Sequence, residues 1–514
     1  MPAIWRIMGA TFYGARFQEV AVTASPLAAR PRSLGALAAA ALIVAVLGVL
    51  PPVTTGWLTR LFTEVALLSD DEVGWIMGGT GFALPGQDYV DLINQNYFGG
   101  AGFLGLSTPE QFCPIVCSPP LSDGLTPTFP GIDDPSSLLP FPQNLTFGSS
   151  VATGAGILNH AIEYSLNAGD LNAGDTVNIF GYSQSAVIST VVMQHLQDLG
   201  IPGDDLNFVL VGSPNNPIGG LLTRLQFPAG VEAFNPFASA PQHLPFLNVP
   251  LSIGPTPTDF ADTDIYTAAY DGWANFPEDP TNLPAVLNAI IGILTEHPKY
   301  PELAADTALN LGSIDQTTFY MFQTDELPLL WPIYQLGDFG KVIGHALQPG
   351  LELGINWGYG NPGDLAASAN GLVGPWAVNA SGELAKGSGL AGFIPMMDPL
   401  QMFAGAQDAG IHTFLDPLND ILGFAGLGQV PDWLSDAMHI PYDLTNALDG
   451  FLLSGWSDLV GWLQNTLADI GINGLDLINL IGPDAIFNGL PLISGAPVID
   501  AVGLIFDVFN FFGA

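Results

Sequence analysis

Positive charge is almost missing from this chain: Lys and Arg total 9 against 48 Asp and Glu, a formal net charge of −39. Holding phosphates needs clustered basic side chains, so nucleic acid is excluded as a partner. Charge of either sign is scarce, at 11% of residues, while 48% are hydrophobic. Acid-rich chains stay disordered when apolar residues are few; here they are plentiful, which describes a folded acidic protein. A length of 514 residues leaves room for two or three domains. Cysteine is rarer still, with Cys113 and Cys117 alone, in QFCPIVCSP. Zinc needs more ligands than these two supply, and no histidine is close in sequence, so they predict no metal site. Outside the cytoplasm they are expected to close a short disulfide clip, with two free buried thiols as the alternative.

Other absences narrow the reading further. MGGTG at residues 77–81 lacks the Gly-Lys-Ser/Thr that a phosphate loop requires. No A-x-A cleavage site follows the uncharged run LGALAAAALIVAVLGVL at residues 34–50. With the next three residues that run reaches about 20 positions, enough to cross a bilayer. Arg6, Arg16, Arg30 and Arg32 all precede it, which predicts a cytoplasmic N-terminus and everything else outside. A retained anchor over residues 1–55 is therefore expected; cleavage, giving a secreted protein, and a buried core helix are the competing readings.

What is present is an alternation of strands and helices. Residues 74–81, GWIMGGTG, read as an apolar strand entering a glycine turn, and a Pro, Gly and Ser-rich loop follows to about residue 147. Helical spacing marks residues 151–166, 184–199 and 284–295. Strands are predicted at residues 175–180 (DTVNIF), 207–211 (NFVLV) and 265–270 (IYTAAY). Short apolar strands between helices argue for a mainly parallel sheet covered on both faces, with ligands at the carboxyl ends of the strands. Beyond about residue 345 the pattern gives way to Gly, Pro and Trp and then to amphipathic runs, with no fixed-period repeat and no assignable fold. Its apolar residues suit either a lipid-facing cover or plain core.

The strand DTVNIF runs into Gly181-Tyr182-Ser183-Gln184-Ser185 and then a helix, the order of a nucleophile elbow. A serine on so tight a turn needs small residues two before and two after; Gly181 meets this, and Ser185 stands where a second glycine is usual. As a bare pattern G-x-S-x-S is most often an ordinary turn, and its placement between strand and helix raises it to a candidate nucleophile. A serine needs a base, and the base an acid, in the chain order Ser, acid, His. His160 precedes the serine, His195 lies along the following helix, and His243 precedes the best acid. His297, His345, His412 and His439 remain. His297, opening HPKY after a helix, suits a return to the sheet edge; a histidine favoured by the helix dipole is the plainer reading. Asp271, at the end of the IYTAAY strand, is the favoured acid, with Asp259, Asp262 and Asp279 open and Asp264 at the wrong end. For the oxyanion hole the Gln184 N–H is one candidate donor and Thr80 the other.

The segments IMGGTGFALPGQDYV, GYSQSAVI, AAYDGWANFPEDPTNLPAVLNAIIGILTEHPKY and TTFYMFQTDELPLL resemble the PE-PPE domain of mycobacterial cell-envelope proteins. The resemblance covers roughly residues 70–345 and leaves residues 346–514 as a region of unknown role. It implies a serine α/β-hydrolase fold related to cutinases and lipases, with Ser183, Asp271 and His297 as catalytic residues and no cofactor. The PE or PPE leader is not recognised, and the apolar run stands in its place, as in the membrane-anchored branch that acylates trehalose-containing envelope lipids. Three functions are expected in order: an acyl-ester hydrolase, a glycolipid acyltransferase, and a non-catalytic envelope-binding protein.

Overall fold

The structure is a computed structural model. It describes residues 73–117 (without 101), 141–167, 176–224, 243–359 (without 245–246 and 252), 393–395, 398–472 and scattered positions beyond. The apolar run at residues 34–50 lies outside the described residues, and among the described residues no helix is long and apolar enough to cross a membrane.

Strand-forming residues with both faces covered build the centre. β1 (Val73–Ile76), β2 (Phe103–Gly105), β3 (Val177–Tyr182), β4 (Leu206–Val211), β7 (Asp262–Ala268), β8 (Leu309–Ile314) and β9 (Thr317–Phe322) form one seven-stranded sheet in the order β2-β1-β3-β4-β7-β9-β8. Every neighbouring pair is parallel except β8 with β9, so a single antiparallel strand closes one edge. A short antiparallel pair, β5 (His243–Leu244) and β6 (Val249–Pro250), stands apart from it. Val177, Ile179 and Phe180 are all fully buried, which is why β3 reads as a continuous apolar run instead of alternating. Ile76, Phe180, Val209 and Phe322 share one core cluster with Tyr266 and Tyr300. Truncating a side chain such as Phe180 to Ala there costs about 3–5 kcal/mol.

Five helices matter to the site: α1 (Gln87–Ile93), α2 (Phe147–Asn167), α3 (Gln184–Asp198), α4 (Leu283–Thr295) and α5 (Asp338–Gly358). Helix α4 starts at Asn282, whose side chain accepts the Ala285 N–H, with a proline in the first turn. Helix α5 runs through residue 345 and supports the acid loop: Tyr270 Oη donates to Asn356 Oδ1 at 2.8 Å, and Asp279 N–H to Gly358 O.

Predicted boundaries shift by up to four residues: the strand read at 175–180 is Val177–Tyr182, the helix read at 151–166 is Phe147–Asn167, and the strand read at 265–270 is Asp262–Ala268. β7 ends at Ala268, not at Tyr270: the Ala269 N–H makes the last bond to β9, at Phe322 O, and Tyr270 then takes a positive φ of 64°. Asp271 thus sits in a tight turn beyond the strand end, its N–H bonded to Ala268 O.

The region without an assigned fold contains two long helices, α6 (Pro399–Phe424) and α7 (Asp432–Asp469). Val430 N–H donates to Asn419 Oδ1 and Thr445 Oγ1 to Gln407 Oε1, so the two run antiparallel as a hairpin. Trp433, Leu444, Phe451 and Trp462 on α7 are between 61% and 72% exposed, so these apolar residues are not core among the described residues.

Candidate active site

The turn after β3 is built by sterics first. A Cβ on Gly181 would stand 2.9 Å from Ala186 Cα and from Ser185 O, so only glycine fits beneath the elbow. Ser183 itself adopts φ 58° and ψ −112°, a strained conformation for a side-chain-bearing residue, of order 1–3 kcal/mol. The surroundings fix it there: Ser183 N–H donates to Val211 O at 3.0 Å, and Ser183 O accepts the N–H groups of Ala186 and Val187 in the first turn of α3. Ser185 does more than stay small. Its Oγ accepts the Tyr182 N–H at 2.7 Å and donates to Tyr182 O at 3.1 Å, a latch across the turn that glycine cannot supply.

Three distant residues meet at this elbow. His297 Nε2 lies 2.8 Å from Ser183 Oγ, and His297 Nδ1 lies 2.8 Å from Asp271 Oδ2. A carboxylate only accepts, so Nδ1 carries the imidazole proton and Nε2 faces the serine hydroxyl as acceptor. Asp271 is fully buried and accepts two further bonds, from Tyr300 Oη at 2.9 Å and from the Trp273 N–H at 3.0 Å. Both carboxylate oxygens are thereby fixed, and the imidazole with them.

Two tyrosines that the sequence reading did not single out hold this arrangement. Tyr300 donates to Asp271 and accepts the Ala268 N–H at 2.6 Å, tying the acid to the end of β7. Burial, and then the Asp271 charge, push its phenol well above the ordinary tyrosine range, so it stays a donor. Tyr182 donates to His297 O at 2.8 Å and lays its ring against the imidazole. Burial and Asp271 likewise raise its phenol. Tyr300 carried a signal: it stands three residues after His297 in HPKY, and this segment is a 3-10 helix in which such residues share a face.

Gln184 opens α3, so its N–H has no carbonyl one turn earlier and is directed outward at the elbow. Its side chain is locked: Oε1 accepts from Ser150 Oγ at 2.8 Å, and Nε2 donates to Gln111 O at 2.9 Å. The same Nε2 reaches Thr80 Oγ1 at 3.4 Å, so Thr80 lies beside the elbow. The loop carrying Thr80 is pinned from both ends, by Met77 N–H to Phe180 O and by Gly81 N–H to Glu110 O. Cys113 and Cys117 are joined in a disulfide, and Phe112 and Val116, each one residue before a cysteine, form an isolated bridge next to this loop.

Beneath the loop lies Glu110, fully buried and with a positive φ of 47°. Thr108 Oγ1 donates to its Oε1, Oε2 has no partner, and burial pushes the carboxyl up to about 8.

The remaining candidates are elsewhere. Asp259 accepts from Gln197, and Asp279 accepts from Thr281. Asp262 and Asp264 open β7, at the opposite end from Asp271. His345 pairs with Asp420 at 2.7 Å, while His412 and His439 lie on α6 and α7.

Comparison with known proteins places relatives beside this chain. The PE-PPE domain profile matches residues 126–360. PE family protein PE3 of Mycobacterium tuberculosis is 31% identical over 385 residues, 68% of this chain and 72% of that protein. Esterase PE16 of the same organism is 35% identical over 303 residues, 56% of this chain and 48% of the esterase. Diacyltrehalose acyltransferase Chp2, also from that organism, is 27% identical over 219 residues, 40% of this chain and 55% of the acyltransferase. This chain therefore spans about half the length of each of the latter two.

Proposed function

The chain belongs to the PE-PPE domain family, and from that premise we propose that it is a serine esterase or lipase working through an acyl-enzyme on Ser183. The observation that carries the reading is the unbroken relay from Ser183 Oγ through His297 to Asp271, each step 2.8 Å long. Ser183 Oγ attacks the ester carbonyl carbon while its proton passes to His297 Nε2. The carbonyl oxygen takes the negative charge and is met by the N–H groups of Gln184 and Thr80. Collapse breaks the ester bond, and the leaving alkoxide departs as alcohol with the proton from His297. Water then repeats the sequence on the acyl-enzyme, releasing the acid and restoring the serine. Asp271 orients the imidazole and stabilises its charged form.

Similarity to an esterase supports hydrolysis. Similarity to an acyltransferase supports a second reading, in which the hydroxyl of a trehalose-containing glycolipid replaces water at the second step. Catalysis outside the cytoplasm, anchored by the run at residues 34–50, completes the proposal and rests on the arginines before it. The apolar side chains that α7 turns to solvent are consistent with a lipid substrate.

The test is hydrolysis of a chromogenic acyl ester by the full chain, with and without trehalose glycolipid. Ser183→Ala is expected to lower kcat by about 10⁴-fold or more, with folding intact. Unchanged turnover in that variant overturns the mechanism; acyl transfer outpacing hydrolysis selects the second reading.

A further inference from the structure

Away from the elbow, the α6–α7 hairpin brings three metal-ligating side chains together. Asp408 and His412 are four residues apart on α6 and share its face; His439 reaches them from α7. Asp408 Oδ1 is 3.7 Å from His412 Nε2 and 3.7 Å from His439 Nε2, and all three atoms lie within 4.8 Å of one another.

The second nitrogen of each ring is already committed. His412 Nδ1 lies 3.2 Å from both oxygens of Asp416, and His439 Nδ1 donates to Ser435 O at 2.8 Å. A carbonyl and a carboxylate accept only, so both imidazoles carry their proton on Nδ1. In neutral rings both Nε2 lone pairs therefore converge on a carboxylate oxygen, three electron-rich atoms with nothing positive between them. The 3.7 Å separations are too long for hydrogen bonds to resolve this. Protonating a ring gives one relief, an ion pair with Asp408 at 3.7 Å; a metal ion gives another. A cation at the centre satisfies all three at once. Zinc suits this donor set; at bond lengths of about 2.0–2.2 Å its tetrahedral ligands stand about 3.3–3.5 Å apart, so the two Asp408–His pairs at 3.7 Å need close only slightly, and the two Nε2 atoms, within 4.8 Å, draw together around the ion. Histidine ligands to zinc ordinarily donate the other N–H to a carboxylate or a backbone carbonyl, and this pair shows one of each.

We propose that Asp408, His412 and His439 bind one zinc ion that staples α7 to α6, with water in the fourth position. The Asp408 side chain is only 8% exposed, so the carboxylate is desolvated as a tight ligand must be, while His412 at 40% leaves the ion a path from solvent.

The experiment is calorimetric titration of the chelator-treated full chain with zinc chloride, followed by metal analysis after dialysis. One equivalent is expected to bind the wild type, with affinity falling about 100-fold or more in His439→Ala and about 10- to 100-fold in Asp416→Asn. Wild type without a stoichiometric site, or His439→Ala binding as tightly as wild type, overturns the proposal. Cobalt(II) loading of the wild type keeps the test independent of any variant's folding. Intense visible absorption of four-coordinate cobalt is the expected result, and the weak spectrum of hydrated cobalt contradicts it.

Discussion

Tyr300 shows how much a single side chain off the reaction path contributes. Its hydroxyl donates to Asp271 and accepts the Ala268 N–H, so Tyr300→Phe removes both bonds while keeping the ring. We expect kcat to fall about tenfold and stability to drop by about 1–3 kcal/mol from the orphaned N–H, read from steady-state rates and the denaturation midpoint. Glu110 gives a pH prediction. Its carboxyl titrates near 8 when folded, above the ordinary glutamate value, so the unfolded chain loses its proton first as pH rises. The cost of burying it is absent below the unfolded value, grows as pH rises, and reaches about 3 kcal/mol by pH 7 before levelling off above 8. Glu110→Gln removes that dependence, so its stability relative to wild type is expected to increase between pH 4.5 and pH 8; an equal difference at both ends contradicts this. At this scale Gly181 and Ser183 are legible in GYSQS because the turn's sterics are local. Tyr300 is legible only through its spacing from His297, since its partner Asp271 is 29 residues away, and Glu110 is not legible, since what matters about it is complete burial.

Among the elements, the residue just past β4 presses against the site. Gly212 has φ +60°, and a Cβ there would stand 2.7 Å from the Tyr300 ring and 2.9 Å from His297 Cε1. Gly212→Ala is thus expected to push the imidazole off Ser183 and lower kcat at least tenfold, while KM for a small ester changes little. An unchanged kcat would mean that the ring has room the contacts deny it. The strands and helices around the elbow were readable from periodicity, because each is either buried on both faces or striped. The end of β7 was not, since Tyr270 looks like strand but takes a positive φ and is held in a turn by its bond to Asn356 on α5. The α6–α7 hairpin was only partly legible: amphipathic runs mark it, but Pro417 and Pro441 sit inside its helices and argue against continuous helices from the sequence. Its cluster of Asp408, His412 and His439 joins residues up to 31 positions apart and has no short signature.

Over the whole molecule, the imbalance of 48 acidic against 9 basic residues acts at long range. An anionic ester approaches against that field, whose reach shrinks from about 30 Å at 0.01 M salt to about 10 Å at 0.1 M. The ratio kcat/KM for an anionic ester is expected to rise with salt over this range, and that for a neutral ester to stay flat; parallel behaviour would show that charge does not govern approach. Composition made this property plain, and chain order made the Ser, acid, His sequence plain, but neither reveals which acyl chain or acceptor is used. The central claim is tested most directly by exposing the full chain to a fluorophosphonate and mapping the adduct by peptide mass. The account predicts a single adduct on Ser183, formed far more slowly in His297→Ala. An unlabelled Ser183 in folded wild-type protein, or labelling that ignores His297, contradicts it.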